Sequence, residues 1–509
     1  MDEIQQMSAA ALVRAIRRRE VSAREAVTAH LARIEAVNPA INAVVTVEPE
    51  QALAAADAAD RRTLSGAELP PLHGLPMTHK DTHAVAGMRS TSGSPVFADH
   101  VPVEDDLVIA RLRAVGAIAT GKSNVPEFGA GSHTFNDVFG TTTNPYATER
   151  SAGGSSGGLA AALAAGIQPL GEGSDVGGSL RIPASFCNVV GFRPSYGVLP
   201  APALNNDWAW LGRTGPMARE VSDISLFMSA VAGPSARVRP PAPLTGADFT
   251  APAAGDLQGV RIGWSPDLGL GVPVDPEVLE VLNRQLSVFE DAGAVVEEAA
   301  PDLTGADGVF RTTRAIDFAA GLGPLVREHR DLIKPEVVWN VEAGWELDAR
   351  QIIDATEART RLAAAVRDFY SRYDLFLSPA AQVVPFDARL RYPAAVDGVE
   401  STTYLDWMRS ACVLSATGLP VLAVPAGFTP TGLPVGFQMA VDHYRDAEVL
   451  RYARAFEERT RCVDRQPGTD HRRRPGPAGE AGPGLGRVRE PAVHRTRPRR
   501  AQAPGGDGG

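Results

Sequence analysis

Three short segments hold side chains whose types and spacing suit a catalytic unit. Two are serine clusters set among glycines, Gly153-Gly154-Ser155-Ser156-Gly157-Gly158 and Gly173-Ser174-Asp175-Val176-Gly177-Gly178-Ser179-Leu180-Arg181-Ile182-Pro183. The third lies upstream and ends in Gly74-Leu75-Pro76-Met77-Thr78-His79-Lys80-Asp81. Serine is a poor nucleophile near neutrality, so it needs an adjacent base and amide donors facing the oxyanion it creates. Glycines beside a serine let backbone N–H groups approach a ligand closely. Together the segments describe a hydrolase whose base is lysine. That lysine works only when neutral, so its pKa must fall from about 10.4 to roughly 7–8, a shift that burial supplies. Asp81 would oppose the shift, and is therefore expected to point away or to be held by backbone donors. Asp175 and Arg181 are expected to pair and hold the second serine loop, with Ser156 a hydrogen-bonding support. A flexible linker would not continue, as this block does, into Ile182-Pro183 and Phe186-Cys187-Asn188-Val189-Val190-Gly191.

Other motifs compete. Gly116 to Ser123 matches the phosphate-loop pattern letter for letter, but that loop needs a strand before its first glycine and a helix after its Lys-Ser pair. Here a helix precedes, apolar residues fill the supposed loop and Pro126 follows. Gly153 to Gly157 also fits the Gly-x-Ser-x-Gly elbow, which requires a later acid and histidine. The available histidines, His329, His443, His471 and His494, lack a persuasive context. His79 and His83 stand four apart without the glutamate of a zinc-protease helix or an evident third ligand, so insensitivity to chelators is expected. Trp208 and Trp210 are candidates to line an acyl pocket.

The chain has 509 residues, 44% hydrophobic, enough for a substantial core. No apolar run is long enough to span a membrane, and the N-terminus lacks the form of a signal peptide. Three widely spaced cysteines, Cys187, Cys412 and Cys462, argue against a disulfide framework and fit a reducing cytoplasm. The net charge of −10 is uneven: residues 466–509 carry nine arginines against four acids, leaving residues 1–465 at −15. An acidic body argues against nucleic-acid binding by the main domain. The Pro, Gly and Arg-rich tail, 466–509, is expected to be disordered. It reads as an unselected, frameshift-like extension or as a basic contact for nucleic acid or an acidic surface.

The elements that must position the serines and the lysine follow from periodicity. Ser22-Ala23-Arg24-Glu25 is a capping box opening a helix that carries Val27, Leu31 and Ile34 and ends at Asn38-Pro39. A second helix is expected over 105–115 with Val108, Leu112 and Val115 in register, then a short strand at 117–119. Residues 259–264, 276–292 and 294–298 give a β–α–β rhythm, 373–379 a further strand, and 418–426 with 433–440 a late strand pair. A helix over 445–460 closes the body.

The two serine blocks, their spacing and the lysine resemble the amidase signature family. The likeness includes Gly121-Lys122-Ser123-Asn124-Val125-Pro126-Glu127-Phe128 and Gly215-Pro216-Met217-Ala218-Arg219, and spans roughly residues 5–465. It implies an α/β fold: a single large domain with a twisted mixed β-sheet sandwiched between α-helices, over residues 1–465. It also implies hydrolysis of a carboxamide C–N bond through a Ser-cisSer-Lys triad and an acyl-enzyme, without cofactor. Ser179 would be the nucleophile, Ser155 the bridging serine and Lys80 the base, with the amides of Val176, Gly177, Gly178 and Ser179 forming the oxyanion hole. The partner is a small amide, with a homodimer left open. The alternative is the glutaminase (A) subunit of a tRNA-dependent amidotransferase. Thr78-His79, where the family often has apolar residues, and Arg193, where lysine is usual, depart from the pattern.

Overall fold

The structure, a computed structural model, describes residues 2–201, 206, 208–236, 241–250 and 256–468. Asp207, just before the first of the two tryptophans, and nearly all of the tail lie outside the described residues. The body, Met1–Pro467, is one compact unit.

Near the N-terminus, the helix Ala23–Ile41 (α1) leads into the strand Val44–Val47 (β1). The capping box is present, with Ser22 accepting from the Glu25 amide and Glu25 from the Ser22 amide. Contrary to expectation, Asn38-Pro39 does not end the helix. Pro39 sits in the last turn, where its missing N–H forfeits a single bond. Asn42, in the left-handed region at φ 48°, stops the helix instead. The Asn38 side chain then holds the turn, accepting from Ala43 and Val44 N–H at 2.8 Å each.

Strands Pro76–Lys80 (β2) and Ile118–Ser123 (β3) join β1 in a three-stranded sheet, with β3 central, parallel to β2 and antiparallel to β1. The helix before β3 is Leu107–Ala114 (α2), whose buried face is Val108, Ile109 and Leu112 rather than reaching Val115. β3 runs well past the expected 117–119, through Gly121-Lys122-Ser123. The phosphate-loop look-alike is therefore a buried strand, and Lys122 is buried beside Asp81 at 3.9 Å.

Among the described residues the main sheet has eight strands: Leu170–Asp175 (β4), Val190–Arg193 (β5), Arg213–Ala218 (β6), Arg261–Trp264 (β7), Val295–Glu298 (β8), Leu375–Pro379 (β9), Val421–Phe428 (β10) and Pro434–Ala440 (β11). Their order is β8-β7-β9-β11-β10-β5-β6-β4, with β7 parallel to β8 and β9 and the remaining pairs antiparallel. The continuous apolar runs of β9 to β11 arise because both faces are covered. Leu422, Val424, Val435, Phe437 and Met439 face one helical layer, with Pro276–Asp291 and Asp446–Thr460, while Val421 and Ala440 face the other. This alternation is the period-two signature of a strand. The expected mixed sheet between helices is the architecture found.

Gly157–Ala164 (α3) wedges between the two sheets, touching β1, β2, β3, β4 and β6. Its sequence, GGLAAALA, is apolar all round and every residue is buried. The small side chains let the two sheets come close. Gly121 serves the same end within the small sheet, since a Cβ there would collide with the Thr46 carbonyl of β1. We expect Gly121→Ala to lower unfolding stability by about 1–3 kcal/mol in a denaturant titration. An unchanged midpoint would show that β1 is free to move away.

Candidate active site

Lys80 ends β2, whose five residues are all buried. Its Nζ lies 2.8 Å from Ser155 Oγ, 2.9 Å from Ser156 Oγ and 2.9 Å from Ser174 Oγ, with the Ser174 carbonyl at 3.3 Å. Among the described residues no carboxylate touches it. Burial pushes its pKa down to about 7, against the opposing pull of Asp175 and Glu172. Asp81 is turned away: its carboxylate accepts from the Thr91 amide and hydroxyl and from the Gly93 amide.

Ser155 and Ser156 form the turn that opens α3, and the Gly154–Ser155 peptide is cis. The Ser156 amide donates to the Ser179 carbonyl at 3.1 Å, tying the two serine loops together. Ser174, on β4, is a contact of the lysine that motif reading does not single out. Strand alternation is the available signal, since Ser174 and Glu172 share the face of β4 turned toward Lys80.

The second serine loop is built around Asp175. Arg181 binds it through Nε and Nη2, each at 3.0 Å, and Arg193 Nη1 stands 3.5 Å from its Oδ1 while also donating to the Asp175 carbonyl. All three side chains are fully buried. Burial alone would raise the Asp175 pKa, but the two guanidiniums and the loop amides hold it well below the usual carboxylate range. Arg181 reaches further, to Gln438 and Ser415. Asp175 also accepts from the Leu180 amide at 3.1 Å and from the Gly178 amide at 2.8 Å.

That last contact corrects the expected oxyanion hole. The Gly178 N–H is engaged by Asp175 and cannot also face a substrate oxygen, because its single hydrogen is already directed. Among the described residues, the Val176, Gly177 and Ser179 amides have no protein acceptor. The Ser179 hydroxyl likewise takes no protein hydrogen bond, and at 6% exposure it is the most accessible of the clustered Ser155, Ser156 and Ser179.

Trp208 and Trp210 line a cavity of about 180 Å³ together with Thr313, Ile316, Asp317 and Arg359. The Arg359 guanidinium lies 3.6 Å over the Trp210 ring. Lys80, Ser155 and Ser179 do not line this cavity. The link between them is the helix Ala306–His329 (α4), which turns Thr313 to the cavity and, one turn earlier, presses Phe310 against Gly177. His443 sits beside Asp442 on a surface loop, and His471 and His494 lie outside the described residues. His79 and His83 both bind Glu172. Among the described residues no group of three or more His, Cys, Asp or Glu side chains is arranged to hold a metal ion.

The family model described as Amidase matches residues 25–450, which include every residue of this cluster. This chain belongs to the Amidase family. It is 36% identical to an acylamidase of Rhodococcus erythropolis over 91% of this chain and 97% of that one. It is 34% identical to the A subunit of the glutamyl-tRNA(Gln) amidotransferase of Heliobacterium modesticaldum, over 88% and 96%. A bacterial aryl acylamidase of the amidase signature family superposes with a TM-score of 0.85 at 29% identity, covering 91% of this chain and 98% of that one. As a member of the family the protein is a hydrolase of amide C–N bonds.

The Asp175 hub makes a stability prediction. Asp175→Asn leaves two buried guanidiniums without their counter-charge, and should cost about 3–5 kcal/mol in equilibrium unfolding. A loss below about 1 kcal/mol would mean that the arginines do not depend on it.

Proposed function

We propose that the protein is an acylamidase in which Lys80 is the base, Ser155 the bridging serine and Ser179 the nucleophile. The observation that carries this reading is the buried Lys80 amine, 2.8 Å from Ser155 Oγ and free of any carboxylate contact among the described residues. A neutral amine there accepts the Ser155 proton as Ser155 takes that of Ser179, whose oxygen attacks the amide carbon. The Gly177 and Ser179 amides stabilise the developing oxyanion. The same relay returns the proton to the departing amine and later activates water to release the acid. Ser156 and Ser174 hold the amine in line, while Asp175 and Arg181 fix the loop that presents Ser179.

The substrate reading is a small acylamide, with an apolar or aryl group received by the cavity of Trp208, Trp210 and Ile316. The likeness to an acylamidase and to an aryl acylamidase supports it. The second reading, a glutaminase chain feeding ammonia to a tRNA-dependent partner, is favoured by the amidotransferase relatives at 34% identity. A release assay over aliphatic, aryl and peptide amides and glutamine, run on the isolated chain, separates the two. Turnover of acylamides without a partner supports the first. Activity confined to glutamine, or dependent on charged tRNA and co-purifying partner proteins, supports the second.

Ser179→Ala and Lys80→Ala should each lower turnover at least about a thousandfold, because members of one catalytic unit fail together. A fluorophosphonate adduct should map to the Ser179 peptide. Labelling of Ser155 instead, or a Lys80→Ala variant retaining a tenth of the rate, would overturn the assignment. Since Lys80 must be neutral to act, kcat/KM should rise with pH through a midpoint near 7. A flat profile from about pH 5 to 8 would remove lysine as the base.

A further inference from the structure

Two residues before Ser174, on the same face of β4, stands Glu172, fully buried. One of its oxygens accepts from the Lys80 backbone N–H at 3.0 Å and from His83 Nδ1 at 3.2 Å. The other accepts from His79 Nδ1 at 2.9 Å. The His83 amide in turn donates to the Lys80 carbonyl at 2.9 Å, so residues 79–83 fold around this one carboxylate. Neighbouring residues of β4 thus grip the lysine twice: Ser174 takes its amine and Glu172 its backbone.

The surrounding charges single Glu172 out. Asp81 faces Thr91, Gly93 and Lys122, and Asp175 is held by Arg181 and Arg193. His30, on α1, is tied to the Ile167 carbonyl and the Thr120 hydroxyl. The helix α3, which carries Ser156 at its N-cap, holds no titratable side chain. Glu172 is the carboxylate near Lys80 whose direct side-chain partners are His79 and His83, while the buried Lys122 ammonium, which donates to the His83 carbonyl, feels its charge at longer range. We propose that Glu172, clamped by His79 and His83, is a positioning residue that anchors the Lys80 backbone and sets the charge field in which its amine gains and loses a proton. This accounts for the polar His79 on β2, which supplies a donor that an apolar residue could not, whereas Thr78 is bound to Gln168 instead. It rests on the reading of Lys80 as the base. Burial alone would raise the Glu172 pKa, yet the two histidines hold it well below the usual carboxylate range, so the charge is present at neutral pH.

The test is the pH dependence of fluorophosphonate labelling at Ser179, which needs no knowledge of the substrate. A negative charge near an ammonium favours the protonated form, so removing it makes the amine easier to deprotonate. In Glu172→Gln the midpoint of the rising limb should therefore move to lower pH by about one unit, with Glu172→Asp staying close to wild type. Should Glu172→Gln not fold, His83→Leu, at the rim of the cluster, removes one donor from the carboxylate. It should move the midpoint upward by about half a unit. A midpoint that stays in place in the folded variants overturns the proposal, even if labelling slows, because slowing alone is what a merely structural role produces. Loss of labelling in Lys80→Ala together with an unmoved midpoint in Glu172→Gln defeats this inference alone, whereas persistence of labelling in Lys80→Ala defeats the base assignment beneath it.

Discussion

A lysine side chain shut away from water without an anionic partner is the constraint around which this protein is arranged. An ordinary lysine in that position would take a carboxylate as counter-ion and become useless as a base. Here the nearest carboxylates are each occupied: Asp81 by backbone amides, Asp175 by two arginines, Glu172 by two histidines and the Lys80 amide. The amine is left with three hydroxyls and a carbonyl. Moving lysine from 10.5 to about 7 corresponds to about 5 kcal/mol of preference for the neutral form. The fold must supply that from elsewhere, and the packed alanine helix α3 and the buried face of the main sheet are where such stabilisation resides.

The second requirement is rigidity in the loop that presents Ser179. A glycine-rich run offers amides to a ligand but has little conformational preference of its own. Asp175 resolves this by accepting from two loop amides and two guanidiniums at once, and Arg181 extends the network to Ser415 and Gln438 on other elements. The same economy explains why only part of the run can face a substrate. Fixing the loop from inside takes the Gly178 amide, and Phe310 and Cys412 crowd Gly177 from the other side.

Much of this is legible in the order of residues, because local signals carry it. The Ser22 box, the Val27 and Ile34 stripe, the late strand pair and the Asp175–Arg181 pairing depend on neighbours in sequence or on a recurring block. What stays hidden depends on contacts between distant segments. Ser174 and Glu172 acquire meaning only when β4 passes beside β2, a long way back in the chain. Pro39 reads as a helix stop because local propensity forbids it mid-helix, yet in a last turn the penalty is small. The extent of β3 is masked because Gly121-Lys122-Ser123 looks polar and loop-like. Only the approach of β1 and the burial of Lys122 beside Asp81 make it a strand. Trp208 and Trp210 do line a cavity, but its connection to the serines runs through α4, which nothing near the tryptophans announces.

In the proposed mechanism the nucleophile, Ser179, and the base, Lys80, come from different sheets, and this has a consequence for how the unit can fail. Ser179 is held by the main sheet through Asp175, Arg181 and Arg193, whereas Lys80 belongs to the three-stranded sheet. Their register is set by α3 and by the Ser156 amide bound to the Ser179 carbonyl. Neither half holds the geometry by itself: an isolated main sheet would keep its serine loop but lose the amine. An isolated small sheet would expose the lysine to water, where it would be protonated and inert. On that mechanism catalytic competence is a property of the docked sheets, and the Gly157-Gly158 start of α3 lies at the joint. A Cβ at Gly158 would strike the Asn124 backbone at the end of β3, and one at Gly157 would strike Thr134. The glycines that follow the first serine pair thus do something different from those that precede the second serine. They let two sheets meet, and the meeting shuts the Lys80 amine away among its serine partners.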